Sequence, residues 1–225
     1  FKLQKRAGKD LSFSRDGHTL MSVEGVYAES DFAVTLWELP SGKLLRRWPR
    51  TNQDFVTAAL APDGKTVAVS ADQFEIWSIA TGKRLRQWQD TTEKEGPYIT
   101  TLAFAPDSRS LAGGGCYFEA SGHFAVWNVT GKVGLFDTFQ DYAATVAFSP
   151  HNRLLAVGTD YDTTYVEKPR APGGDVFLYD LKTHKRTLTL KGHKDGINIV
   201  AWSPDGKRIA SGSDDHTVKI WRLAG

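Results

Sequence analysis

The chain has 225 residues, 40% hydrophobic, 12% aromatic and 24% charged, and its 28 lysines and arginines against 26 aspartates and glutamates leave a net charge of only +2. That size and composition fit one soluble domain or two small ones, and the near-neutral balance gives no reason to expect nucleic acid or an anionic membrane as a partner. A single cysteine, Cys116, excludes an internal disulfide and any zinc site needing two sulfurs, and no apolar run approaches the roughly 20 residues that span a bilayer.

The first ten residues hold no signal-peptide core. Because the chain opens on Phe1 and not on methionine, an upstream piece is expected to have been removed or left out: a signal peptide, a short tail or a whole domain. From there the predicted elements recur. A turn of the form Ser-Pro-Asp-Gly stands at Ser14-Arg15-Asp16-Gly17, Ala61-Pro62-Asp63-Gly64, Ala105-Pro106-Asp107-Ser108, Ser149-Pro150-His151-Asn152 and Ser203-Pro204-Asp205-Gly206. The steps at its third residue are 47, 44, 44 and 54 residues, in the range of repeat architectures. Proline presets φ at the first central position, Asp suits the second, and Gly or Asn closes the turn.

Each turn lies between two short β-rich runs, which predicts a hairpin. A third run follows in every unit and ends on an aromatic: Trp37, Trp77, Trp127, Tyr179 and Trp221. Second turns at Ser41-Gly42-Lys43, Thr81-Gly82-Lys83, Thr130-Gly131-Lys132 and Thr183-His184-Lys185 lead into a fourth run, such as 44–48 or 84–88. Each unit therefore reads as four antiparallel strands, a to d, with no helix. The lysines and arginines of the d strands read as protection of an exposed sheet edge.

These units resemble WD repeats, and the resemblance covers essentially the whole chain. It is fullest in the last unit: Gly192-His193, then Trp202-Ser203-Pro204-Asp205-Gly206, Ile209-Ala210-Ser211-Gly212-Ser213-Asp214-Asp215 and Val218-Lys219-Ile220-Trp221. The resemblance implies an all-β propeller of WD40 type with five four-stranded blades. The blades fall at 11–50, 51–90, 97–140, 141–191 and 192–225. The last lacks an outer strand, and residues 1–6 are expected to supply it, closing the ring. The rival is a fragment of a larger, seven-bladed propeller.

The resemblance also implies a buried hydrogen-bonded set of His193, Ser213, Asp215 and Trp221. Leaving one member of such a set unpaired costs about 1–3 kcal/mol. Elsewhere the pattern is degenerate: Asp31 and Trp37 fit in the first unit, Ser70, Asp72 and Trp77 roughly in the second, Trp127 alone in the third, and Tyr179 replaces Trp in the fourth.

Ser, His and Asp within one unit invite comparison with a catalytic triad, yet no Gly-x-Ser-x-Gly elbow accompanies them and the repeat explains all three. The six histidines form no His-x-His or His-Glu-x-x-His pair. Asp160-x-Asp162 with Thr164 and Glu167 lacks the mid-loop Gly of a calcium loop and reads as a solvated acidic loop. Gly113-Gly114-Gly115 has no Lys-Ser or Lys-Thr after it and reads as a strand end needing unusual backbone angles. No metal, no cofactor and no enzymatic activity are expected.

Function is expected on one face. The a–b and c–d turns are short, whereas the long connections 24–31, 115–122 and 160–174 join b to c, and 91–97 leads into the third unit. Insertions of this kind collect on the binding side of repeat scaffolds. These stretches carry Tyr27, Tyr98, Tyr117, Phe118, Tyr161, Tyr165, Lys168 and Arg170, types that dominate interface hot spots. The chain is thus expected to be a non-catalytic scaffold that docks a protein or peptide within a larger complex. The alternative is a sensory or targeting module of a longer protein, for example after a kinase domain. The cytosol is the expected compartment, with export after processing as the alternative.

Overall fold

The predicted turns are built from their own side chains. In the first, Ser14 Oγ donates to Asp16 (2.6 Å) and accepts the Thr19 N–H (2.9 Å), while the His18 N–H donates to Asp16 (3.0 Å). The last repeats the arrangement with Ser203, Asp205, Lys207 and Arg208. Asp63 and Asp107 accept the N–H groups of Lys65 and Arg109 at 3.0 and 2.8 Å. In the fourth turn, where His151 stands in place of Asp, Ser149 Oγ accepts the Leu154 N–H at 2.9 Å. The closing residues Gly17, Gly64, Ser108, Asn152 and Gly206 have φ between 53° and 73°, the left-handed region in which Gly, and after it Asn, is least strained.

The computed structural model describes residues 8–26, 31–51, 57–70, 73–88, 98–116, 122–139, 141–160 and 173–223. The strands are β1 (Gly8–Phe13), β2 (Thr19–Val26), β3 (Asp31–Glu38), β4 (Lys43–Thr51), β5 (Thr57–Leu60), β6 (Thr66–Ser70), β7 (Phe74–Ser78), β8 (Arg84–Trp88), β9 (Tyr98–Phe104), β10 (Ser110–Cys116), β11 (Gly122–Asn128), β12 (Val133–Phe139), β13 (Tyr142–Phe148), β14 (Leu154–Asp160), β15 (Val176–Asp180), β16 (Lys185–Leu190), β17 (Ile197–Trp202), β18 (Arg208–Ser213) and β19 (Val218–Arg222). They form five antiparallel sheets, each in chain order: β1–β4, β5–β8, β9–β12, β13–β16 and the three-stranded β17–β19. No helix occurs among the described residues. Residues 1–6, expected as the outer strand of the fifth sheet, lie outside them.

The chain divides into two units, 1–96 with 129–131, and 97–128 with 132–225. In the first, β5 packs on β1 and β2, and Ala58 and Leu60 cover Met21, Val23, Val34 and Leu36. In the second, β13 packs on β9, β10 and β11, and β17 packs on β13 and β14. Val146 and Phe148 thereby join Ala112, Phe124 and Val126 in one core, and Ile197, Val200 and Trp202 join Ala156, Val176 and Leu178 in another. One rule serves all three interfaces: the b and c strands of one sheet bury an apolar face under the a strand of the next. Fully buried members such as Leu36 and Leu155 each contribute about 1.5–3 kcal/mol.

The triple glycine differs from expectation. It runs through the middle of β10, paired on both sides, and none of its residues has a left-handed φ. The reason for glycine is space. A Cβ on Gly113 would lie 3.0 Å from Trp127 Cζ3, and one on Gly114 would lie 2.9 Å from the Ala143 Cβ of the next sheet.

Candidate interaction face

The last unit holds the buried polar chain, with one substitution relative to expectation. His193, 6% exposed, places Nδ1 2.8 Å from Asp215 Oδ2 and Nε2 2.8 Å from Ser211 Oγ, and the Trp221 indole N–H donates to the same Ser211 oxygen at 2.8 Å. The serine is therefore Ser211 and not Ser213. Both point to one side of β18, but Ser213 lies one pair nearer the turn, where its hydroxyl donates to the Asp195 carbonyl at 2.9 Å. Asp215 also accepts the N–H groups of Lys194 and Thr217, both at 2.9 Å, and the Thr217 hydroxyl. That hydroxyl bond above all holds the Asp215 carboxyl well below the usual carboxylate range.

Ser211, His193 and Asp215 stand in the order of a catalytic triad. Ser211 is only 1% exposed, and its oxygen already accepts the Trp221 N–H. A nucleophile has to reach its substrate; this hydroxyl ties strands b and c to the Gly192-His193 link.

The first, second and fourth units tie the same aromatic in other ways, through residues the sequence pattern did not single out. In the first, Trp37 donates to Ser22 Oγ (3.3 Å), which donates to Glu24 (2.9 Å). Asp31 begins β3, across from Val26. In the second, Trp77 donates to Glu75 (3.0 Å), which pairs with Arg84 at 2.8 Å; Ser70 is buried, and Asp72 lies outside the described residues. In the third, Trp127 is 1% exposed and His123, at the start of the same strand, is 0% exposed; burial pushes the His123 imidazole down to about 4. In the fourth, the Tyr179 hydroxyl donates to Asp137 on β12 at 2.7 Å; burial first, and then this carboxylate, push that hydroxyl up. The alternating Ser22-x-Glu24 and Glu75-x-Trp77 were the local signals in sequence for these substitutes, since residues two apart share a strand face.

The two ends of the sheets differ. In the second unit the a–b and c–d turns of the third and fourth sheets converge on one groove of about 290 Å³, lined by Asp107, Asn128, Lys132, Asn152, Leu181 and His184 among others. The b–c connections of both sheets consequently leave from the opposite end. There the described residues are close-fitted. Gly174 donates to the Asp195 carbonyl (2.8 Å), Asp214 donates its N–H to the Gly196 carbonyl (3.0 Å), and the Asn198 amide donates to Asp214 (2.6 Å). Of the residues expected on this face, Tyr98 opens β9 opposite Cys116, whereas Tyr27, Tyr117, Phe118, Tyr161, Tyr165, Lys168 and Arg170 lie outside the described residues.

Repeated four-stranded sheets, a keyed aromatic on each third strand and long connections leaving from the b–c end define a β-repeat protein of the kind that builds propellers. Residues 184–222 match the WD domain, G-beta repeat family. The rest of the chain is similar to WD-repeat proteins without a family match of its own. The chain is 23% identical over 201 residues to the WD repeat-containing protein WDS homolog of Arabidopsis thaliana, covering 86% of this chain and 35% of that protein. It is 34% identical over 98 residues to Protein HIRA of Oryza sativa subsp. japonica (40% and 10%), and 29% identical over 126 residues to Protein groucho of Drosophila melanogaster (56% and 16%). The chain thus spans between a tenth and about a third of the length of these relatives.

Proposed function

We propose that the chain is a non-catalytic scaffold that holds a protein or peptide partner on the end of its sheets where the b–c connections and d–a links leave. One observation carries this: the a–b turns are short and closed by their own hydrogen bonds, while in the third and fourth sheets the long stretches between strands b and c start from the other end. A rigid frame with variable loops on one side is the physical form of a binding surface. The match of residues 184–222 to the WD domain, G-beta repeat family points the same way.

The test is affinity capture of the partner with wild type, Tyr165→Ala and Arg170→Ala. Each substitution is expected to weaken binding by about 1–2 kcal/mol if the residue is a hot spot. Unchanged affinity in both overturns the assignment of the surface. A second reading, a targeting module within a longer protein, is favoured by the share of its relatives that the chain covers, a tenth to about a third; the complete open reading frame decides it.

A further inference from the structure

Two pairs of neighbouring sheets fill the same place differently. Between the first and second sheets, Arg46 of β4 reaches the c–d turn of the second sheet, donating from Nε to the Ile79 carbonyl at 3.1 Å and from Nη2 to the Ala80 carbonyl at 2.7 Å. Arg46 pairs with Leu36, one residue before the register shift at Trp37. In the third sheet the same place, opposite Val126 and one residue before the shift at Trp127, is held by Leu135. Leucine has no donor to offer, and beside the c–d turn of the fourth sheet lies the open groove of about 290 Å³. The residues of each arrangement belong to one of the two units of the chain.

The receiving turn is built alike in both pairs. In the second sheet Ile79 donates its N–H to the Lys65 carbonyl and Gly82 to Ser78; in the fourth, Leu181 donates to Arg153 and His184 to Asp180, all at 2.9 Å. Gly82 and His184 share the left-handed φ, 68° and 56°. Leu181 and Lys182 thus stand where Ile79 and Ala80 stand, with their carbonyls aimed as those that accept Arg46 are aimed. Leu181 and His184 both line the groove.

Asn152 gives an independent reason to expect a donor there. It closes the fourth a–b turn, where Gly64 closes the second, and it lines the groove. Its Oδ1 is buried and accepts no hydrogen bond among the described residues. A buried acceptor without a donor is costly. The base of the groove is apolar, with Val126, Leu135 and Phe148 each at most 8% exposed, which suits the methylene stem of a long cationic side chain. Asp107 adds a carboxylate to the lining. Lys132 lines the groove as well, but it matches Lys43 of the first sheet, which opens the same strand as Arg46.

We propose that the groove between the third and fourth sheets docks one arginine side chain of a partner protein. Its guanidinium donates to the Leu181 and Lys182 carbonyls and to Asn152 Oδ1, and Asp107 supplies the opposite charge. Arginine is the occupant because the chain already places one in the matching notch, and because its planar fork spans two neighbouring acceptors where lysine brings a point charge. The volume lies at the low end of ligand sites, about 300–1,000 Å³, enough for a single side chain. This contact lies on the a–b and c–d end of the sheets, away from the b–c connections.

The experiment titrates the peptide acetyl-Ala-Ala-Arg-Ala-Ala-amide into the isotope-labelled whole chain and follows amide shifts by NMR. Peptides with citrulline, the neutral isostere, or lysine in place of arginine run in parallel. Saturable shifts are expected at Asn152 and over the turn from Leu181 to His184, with a Kd on the order of 1 mM. The citrulline peptide is expected to bind about tenfold more weakly, and the lysine peptide more weakly than the arginine peptide. Leu135→Arg is expected to abolish binding by filling the groove as Arg46 fills its counterpart. Asn152→Gly, which installs the residue that Gly64 supplies in the second sheet, is expected to weaken binding at least about threefold. Near-UV circular dichroism checks folding, and Asn152→Gly decides alone if Leu135→Arg is not folded. Tyr165→Ala, on the b–c connection of the fourth sheet, is expected to bind the peptide as wild type does, which separates this site from the face proposed above. The proposal is overturned by the lack of saturable shifts up to about 20 mM peptide, by shifts confined to other residues, or by an analogue that binds as tightly as the arginine peptide. A folded Leu135→Arg or Asn152→Gly that binds like wild type, or loss of binding in Tyr165→Ala, also overturns it.

Discussion

Ser211 gathers a hydrogen bond from Trp221 and another with His193 on a single oxygen, so its removal strands two buried groups at once. Ser211→Ala is expected to cost about 1–3 kcal/mol, more than Ser213→Ala, whose loss affects a partly exposed contact to Asp195. Urea denaturation of the two variants checks the order, and a larger loss at Ser213 would reverse the roles assigned here. The distinction was not legible in sequence. Ser211-Gly212-Ser213 offers two serines of the same strand parity, and only the reach of the indole selects between them. A second residue-scale effect lies at His184, which closes a c–d turn with φ 56° where Gly42 and Gly82 stand in the corresponding turns. His184 is exposed, so His184→Gly relieves backbone strain without removing buried surface. It is expected to stabilise by about 0.5–1 kcal/mol in thermal or urea denaturation, and a loss of stability would contradict this.

A single irregularity recurs among the elements. In each of the four-stranded sheets the c–d register shifts at the aromatic: Leu36/Trp37, Ile76/Trp77, Val126/Trp127 and Leu178/Tyr179. A bulge re-aims one side chain while keeping the rest of the ladder, and here it always acts on the aromatic that each third strand carries. The aromatic positions were plain in the sequence because they end short apolar runs; the bulges were not, since they arise from pairing with a partner strand. The same holds for Gly114, whose reason is a residue 29 positions away in another sheet, Ala143. Gly114→Val is expected to force β10 and β13 apart and to cost about 1–3 kcal/mol. Gly134→Val, where a Cβ would sit at an ordinary 3.6 Å from the Val126 carbonyl oxygen, serves as the control, and equal losses in a denaturant titration would remove the packing explanation.

For the molecule as a whole, stability should fall on acidification in two windows. His123 is held neutral in the folded chain down to about 4 but ionises near 6.5 when unfolded. The unfolded state thus binds the extra proton between those values, and up to about 3 kcal/mol is lost as pH falls through them. Asp16, Asp180, Asp205 and Asp215 are all held below the ordinary carboxylate value. What they contribute is complete above about pH 4 and is lost below it. Denaturation at a series of pH values with wild type and His123→Leu separates the two, and a slope between pH 6.5 and 4 that survives the substitution would place its origin elsewhere. The repeat itself was legible because its turns rest on residues with a narrow choice of backbone angles. What the loops hold was not, because no periodicity constrains them.

The left-handed residue closing each a–b turn fixes that turn at one length, so an inserted residue there would break the cage of hydrogen bonds beside it. The connections 24–31, 115–122 and 160–174 differ in length or composition from one repeat to the next. A residue added to one of them leaves the a–b turns and the buried faces between the sheets as they are, so the frame sets their anchor points and not their length.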